Sequence, residues 1–324
     1  MESRLSSEGA GDGMRQDTAL RLVSQPETAL TREADPGFDS ALGGARSSDG
    51  FDGGSPAFWE GYMADAEVYD GRPFRSAPDR ALLDAALTFT GLWQSETVVE
   101  LGCGSSSFLS RIALATGARV AGVDFAPESL ARTKAALRRL GFDNSRLVLG
   151  TIDEFVAAHE GEFDVVLSFG LIEHFGDLEA IIAAHFRCAR PGARIFIAAP
   201  NLAHVNLAWI RLVAPSLLTW HRPLDLADVK LHVLSCGGAD LRAEYLGGVR
   251  LFANPERPNG RRSLRFVTGQ IVRRCVNGLG ELTYRLAPAT STRFAGARLS
   301  PFFAVCASKP DSPVSVSAAT PSES

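Results

Sequence analysis

The sequence predicts an α/β protein built on a doubly wound, mostly parallel sheet, and three observations carry that expectation. Short apolar, β-branched runs alternate with segments of helical period from Thr97 to Asn201, the pattern of strands buried on both faces by crossover helices. The first run closes in a glycine-punctuated turn, Glu100-Leu101-Gly102-Cys103-Gly104, followed by Ser105-Ser106-Ser107. The second run ends in Asp124, about twenty residues beyond the glycines, where an acid can take both hydrogen bonds of a ribose diol.

Taken in order, the chain opens with a Gly-, Ser-, Ala- and Asp-rich stretch, residues 1–54, which reads as a disordered acidic leader. Order is expected from Ser55-Pro56, an N-cap with proline at the first helical position. Phe58, Trp59, Tyr62 and Met63 form an aromatic stripe there, read either as core packing or as a lid. Ala77-Pro78-Asp79-Arg80 opens a second helix. Val98, Val99 and Leu101 form the first strand. Gly102 and Gly104 allow a tight turn and close approach of a ligand, and the serines supply a helix N-cap. Val120–Asp124, Arg146–Gly150, Phe163–Ser168 and Ile195–Asn201 read as further strands, with helices over 108–115, 130–140 and 178–189 between them. Residues 209–238 read as helical, Glu244–Phe252 and Ser300–Ala307 as the last two strands, and 254–299 as an insertion.

Four of these segments together resemble the class I S-adenosylmethionine-dependent methyltransferases of small molecules, ubiquinone-type enzymes among them. They are the acid-x-Gly-x-Gly turn at Glu100–Gly104, Asp124 at the end of the second strand, Phe163-Asp164-Val165-Val166 with the Leu171-Ile172-Glu173-His174 loop, and Arg190-Pro191-Gly192 leading to Pro200-Asn201. The resemblance covers residues 95–206 strongly and 240–308 weakly. It implies a seven-stranded Rossmann-like sheet closed by an antiparallel pair, a helical N-terminal lid and a C-terminal helical insertion. One domain of 55–308 is expected, with a disordered tail over 309–324.

S-adenosylmethionine is the cofactor the resemblance implies. Gly102, Cys103 and Gly104 would hold its methionine part and Glu100 would order its amino group. Asp124 would bind the ribose, although a helix N-cap is the alternative, and Phe125 would flank the adenine. The family often has an acid directly after the third strand's glycine, where this chain has Thr151. Thr151, Ile152 and Asp153 are therefore the candidate adenine contacts, with Ser168 and Phe169 completing the set. Arg80 is a candidate partner for the cofactor carboxylate or an ordinary surface arginine. His174 is the candidate general base, since imidazole titrates near neutrality, with a structural histidine as the alternative. His204 is a second candidate. Some relatives hold a divalent metal with E-x-x-E-H, but Gly170 stands where the first acid would be, so no metal is expected.

Composition narrows the class. A net charge of −4 gives no reason to expect nucleic acid. Five scattered cysteines without a C-x-x-C argue against a disulfide framework and fit a reducing cytoplasm. No apolar run approaches a bilayer span, and no secretory signal is read. The insertion carries Arg257, Arg261, Arg262, Arg265, Arg273 and Arg274 around Leu264, Val267, Ile271 and Cys275. That stretch suits either a cap on the domain or contact with an inner membrane face or a phosphorylated or lipid-linked substrate over 257–274. The expected activity is methyl transfer to a small-molecule hydroxyl, of a sugar or glycolipid intermediate or a specialised metabolite. A non-catalytic adenosyl-binding scaffold is the alternative. A nicotinamide dehydrogenase would need a third glycine where Ser107 stands.

Overall fold

A computed structural model describes residues 55–63, 72–256, 263–286 and 296–311. The leader, most of the tail, and Arg257, Arg261, Arg262 and Arg293 lie outside the described residues. Seven strands form one sheet in the order β3-β2-β1-β4-β5-β7-β6. They are β1 (Thr97–Leu101), β2 (Arg119–Asp124), β3 (Arg146–Leu149), β4 (Phe163–Phe169), β5 (Ala189–Pro200), β6 (Ala239–Leu246) and β7 (Phe302–Ser308). The first five are parallel, and β7 enters antiparallel between β5 and β6. The chain order reverses between β1 and β4, which opens a crevice at their carboxyl ends.

Helices cover both faces: α1 (Pro56–Tyr62), α2 (Ala77–Thr90), α3 (Ser107–Thr116), α4 (Pro127–Arg139), α5 (Ile152–Ala158), α6 (Leu178–Cys188), α7 (His204–Val213), α8 (Leu226–Ser235) and α9 (Leu264–Leu286). The strand period of two divides the core accordingly. Val98, Val165, Leu167 and Phe196 face the layer built by α2, α3 and α4, whereas Val99, Val166, Ile195 and Ile197 face the layer of α5, α6 and α8. Each is at most 1% exposed, and full burial of such a side chain stabilises the fold by about 1.5–3 kcal/mol. A smaller core under α7 joins Leu202, Trp209, Ile210 and Val213 to Leu251 and Ala253.

The N-terminal caps follow the sequence closely. Ser55 accepts from the Phe58 N–H, Ser76 from Asp79 and Ser106 from Leu109, each satisfying an amide that has no partner within its helix. Three spans differ from expectation. β5 begins at Ala189, so Arg190–Ala193 is an irregularity within the strand, where pairing jumps from Phe163↔Ala189 to Val165↔Arg194. Arg190 and the Thr97 backbone and hydroxyl hold Asp164 at this irregularity. β6 ends at Leu246, ahead of the expected Glu244–Phe252 span, because Gly247 and Gly248 both adopt positive φ. Residues 209–238 form the end of α7, a 3-10 turn and α8 rather than continuous helix.

Candidate functional site

The glycine turn after β1 is fixed from below and from the side. Cys103 is buried beneath it, and its N–H donates to the Val123 carbonyl (3.0 Å). The Thr133 hydroxyl donates to the Gly104 carbonyl (2.6 Å). Gly102 has φ +67°, and a Cβ there would sit 2.5 Å from Leu171 Cδ1. The turn and the β4 loop thus meet at a distance only glycine permits.

Two carboxyl groups end the neighbouring strands. Asp124 Oδ2 accepts from the Gly104 N–H (2.7 Å) and Oδ1 from the Ala126 N–H (2.8 Å). Glu100, 2% exposed, accepts from the Ser106 hydroxyl (2.6 Å). Burial pushes its carboxyl up to about 8, with the Asp124 charge adding to the rise. Burial raises Asp124 as well, against the lowering effect of its backbone donors. The Ser105 hydroxyl between them is buried without a partner among the described residues.

Beyond the turn, Phe169 at the end of β4 stacks on Phe108 (4.1 Å, 7°), and Phe74 packs against Phe108. The Arg111 guanidinium lies 3.6 Å over the Phe74 ring; nothing in the sequence periodicity singles that arginine out. Above the turn, α1 and its C-cap Met63 pack against the domain. Arg132 of α4 donates to the Met63 carbonyl (3.0 Å), and Met63 Cε would lie 3.8 Å from a Cβ on Gly104.

His174 lies on a 3-10 turn (Ile172–His174) directly after β4. Its Nδ1 is 2.6 Å from the Trp220 carbonyl, Trp59 meets its ring edge-on, and the His221 ring is 4.6 Å away. Burial pulls this imidazole down to about 3, and the neighbouring His221 adds to the fall. A ring buried in this way is neutral near pH 7 and only weakly basic. Glu173, 2% exposed, is pushed up to about 8 by burial. Oxygen and nitrogen atoms of Glu173, His174 and His221 lie within 4.8 Å of one another. The sequence pattern does not single out His221, because the 3-10 turn at Pro215–Thr219, which brings it to His174, has no periodic signature.

Several expected site residues have other duties. Arg80 donates to the Phe74 and Arg75 carbonyls and to Glu281 of α9, so it ties α2 to α9. The Ser168 hydroxyl pairs with His185 Nε2 (2.9 Å) in the α6 layer, away from the glycine turn. Thr151 spends its hydroxyl and N–H on a capping box with Glu154. Ile152 and Asp153 begin α5 beside it, and Phe125 stays half-buried after Asp124. His204 is an exposed residue at φ +48° that opens α7, so it faces solvent rather than the crevice.

Residues 93–220 match the family model described as a methyltransferase domain. Two similar proteins are named ubiquinone biosynthesis O-methyltransferase. That of Aromatoleum aromaticum is 33% identical over 107 residues, covering 32% of this chain and 44% of the relative. That of Hahella chejuensis is 32% identical over 151 residues, covering 40% and 62%. The chain thus spans about half the length of the curated relatives it matches. Among solved structures, a methyltransferase in complex with the Haloferax volcanii Trm112 activator aligns at TM-score 0.50 and 17% identity, covering 78% of this chain and 97% of that one. A sarcosine dimethylglycine methyltransferase candidate from Galdieria sulphuraria aligns at TM-score 0.50 and 13% identity, covering 79% and 98%.

Proposed function

We propose that this chain, which carries a class I S-adenosylmethionine-dependent methyltransferase domain, methylates a hydroxyl of a small molecule that has an apolar portion. One observation carries the reading: Glu100 and Asp124 end adjacent parallel strands on either side of the Gly102–Gly104 turn. The cofactor fits this donor set, because its amino group is a cation and its ribose a diol. When bound, it supplies an electrophilic sulfonium methyl group.

The chain's own work is then to bind, orient and exclude water. Glu100, held by Ser106, would face the ammonium, which favours the ionised carboxylate that burial alone disfavours. Asp124 would exchange its bond from the Gly104 N–H for the ribose hydroxyls. The α1 lid, with Phe58 stacked on Trp220 at 4.1 Å, would shut water from the acceptor side.

A cavity of about 380 Å³ supports an acceptor with an apolar part. It lies between α7, Val249–Leu251 and α9, and its walls include Val276, Leu279 and Leu299. The names of the relatives favour an aromatic hydroxyl over a sugar. The face of α9 turned outward carries Leu264, Val267, Ile271, Leu282 and Leu286, all exposed, beside Arg265, Arg274 and Arg285. We assign it to contact with an anionic lipid surface, from which an apolar acceptor would be drawn. Among the described residues no helix is long and apolar enough to cross a membrane.

The test is transfer of a deuterated methyl group, read by mass spectrometry, to catechols bearing alkyl tails and to glycosides. Labelled catechol ethers are the expected product. Absence of label on every hydroxyl acceptor, with cofactor bound, would favour the scaffold reading.

A further inference from the structure

We propose that Arg250 and Arg273 hold the phosphomonoester head of an amphiphile whose apolar chain fills the cavity between α7 and α9. That cavity, about 380 Å³, has the size of a small-molecule site. Its walls are largely apolar, Val249, Leu251, Val276 and Leu299 among them, and Arg250 brings a positive charge into the lining. Arg273 continues the same wall. Val276, Gly280 and Thr283 line the cavity at helical spacing along α9, and Arg273 stands one turn before them on that face. Asn277 ties the two segments together: its side chain donates to the Leu251 carbonyl (3.3 Å) and accepts from the Leu251 N–H (2.8 Å). One arginine therefore precedes each end of this clamp.

Neither charge is neutralised by the protein. Arg273 Nε is buried without a hydrogen-bond partner among the described residues. The charges that act on its guanidinium there are those of Arg250 and Arg274, so burial and like-charge repulsion together hold its pKa below the ordinary arginine value. Arg250 donates to the Ser76 hydroxyl (2.6 Å), which is a neutral partner. Glu281, two turns further along α9, makes the contrast, since the Arg80 guanidinium and the Ala77 N–H both meet it. An unpaired buried donor is costly, and a second cation beside it adds to the cost until an anion meets both.

The pair of guanidiniums selects the head group. A phosphomonoester carries a charge of about −1.5 to −2 near pH 7 and three acceptor oxygens, enough for two planar forks. A carboxylate carries a single charge and is satisfied by one fork. The apolar walls select the chain. Ile271 and Leu282, both exposed, lie on the opposite side of α9 by helical spacing, so the pocket and the outward face are separate surfaces. The inference rests on the reading of this cavity as a site for an apolar portion, and adds the group that the ligand bears.

The experiment titrates the full chain by calorimetry with decyl phosphate below its micellar concentration, beside decanol, decanoate and inorganic phosphate. One decyl phosphate per chain is expected, bound at least ~10-fold more tightly than decanol or decanoate, the worth of one charge-assisted hydrogen bond. Inorganic phosphate, which lacks the chain, should bind at least ~100-fold more weakly. Arg250→Gln and Arg273→Gln are each expected to lower the affinity for decyl phosphate at least ~10-fold and to leave that for decanol unchanged. Arg273→Gln breaks no contact of the fold, so its urea midpoint should not fall below that of the wild type. Arg274→Gln, whose side chain is exposed, should lose less than ~3-fold, as a screened surface charge does. Failure of the wild type to bind decyl phosphate would overturn the proposal. Equal losses in Arg273→Gln and Arg274→Gln would overturn it too, by placing the anion on the outward, bilayer-facing surface. Decanol bound as tightly as decyl phosphate would overturn the head group and leave the apolar reading of the cavity standing. Methyl transfer to alkylated catechols is read separately, so failure here is told apart from failure of the proposed activity.

Discussion

Glu100 titrates far from where an exposed carboxyl would, and the fold bears the consequence. In the unfolded chain it ionises around its ordinary value of 4.5, whereas burial in the native state moves it up to about 8. Folding therefore favours the protonated form. That contribution is fully present below pH 4.5 and is lost as pH rises through the window up to about 8. Urea midpoints at pH 5 and pH 8 should show the wild type losing stability between them. Glu100→Gln, which can still accept the Ser106 hydroxyl, should lose clearly less, and an equal loss in both proteins would contradict this reading. Residues of this kind are legible in sequence, because Glu100 and Asp124 sit where a strand pattern meets a turn. Arg80 was not, since its partner Glu281 lies 201 residues away and no local pattern encodes a long-range ion pair. The place of His174 after the fourth strand was legible, but the burial and neighbours that Trp59, Trp220 and His221 provide were not, since they come from distant segments.

At the scale of elements, α9 does two things at once. Its inner face is pinned to the domain. Glu281 accepts from both the Arg80 guanidinium (2.6 Å) and the Ala77 N–H (2.8 Å), and Gly280 lies so close to the Val249 carbonyl that a Cβ would sit 2.0 Å from it. Its outer face repeats exposed apolar residues along the whole helix, from Leu264 (81% exposed) to Leu286 (76%). The inner face acts as the cap the sequence left open, while contact with a lipid surface is what we propose for the outer one. The arginine-flanked stripe is expected to bring the protein down with vesicles containing phosphatidylglycerol but not with phosphatidylcholine alone. Replacing Ile271 and Leu282 together with Glu should abolish co-sedimentation and leave the fold intact, because both side chains are more than half exposed. Retained sedimentation in that variant would remove α9 from the membrane.

For the molecule as a whole, the alternation of strand and helix from Thr97 to Asn201 was enough to give the parallel sheet and its crevice. Periodicity and turn chemistry are local, and the right-handed crossover rule then leaves few topologies. The antiparallel end was harder to place. Gly247 and Gly248 cut β6 short, and Leu251 and Ala253 turn instead into the small core beneath α7. A contact of that kind is settled by packing rather than by sequence period. At the carboxyl edge of one sheet the architecture gathers the carboxyl-flanked turn after β1 and the buried Glu173, His174 and His221 side chains after β4, with Trp59 of α1 against His174.

The central claim is that the carboxyl-flanked turn after β1 holds an adenosyl sulfonium cofactor. Calorimetric titration with S-adenosylhomocysteine and with NAD, on the wild type and on Asp124→Ala, tests it most directly. The account expects one molecule of S-adenosylhomocysteine bound per chain, no heat with NAD, and at least ~10-fold weaker binding in the variant, the loss of a charge-assisted hydrogen-bond partner. Absence of binding by a folded wild type, or equal affinity in both proteins, would contradict it.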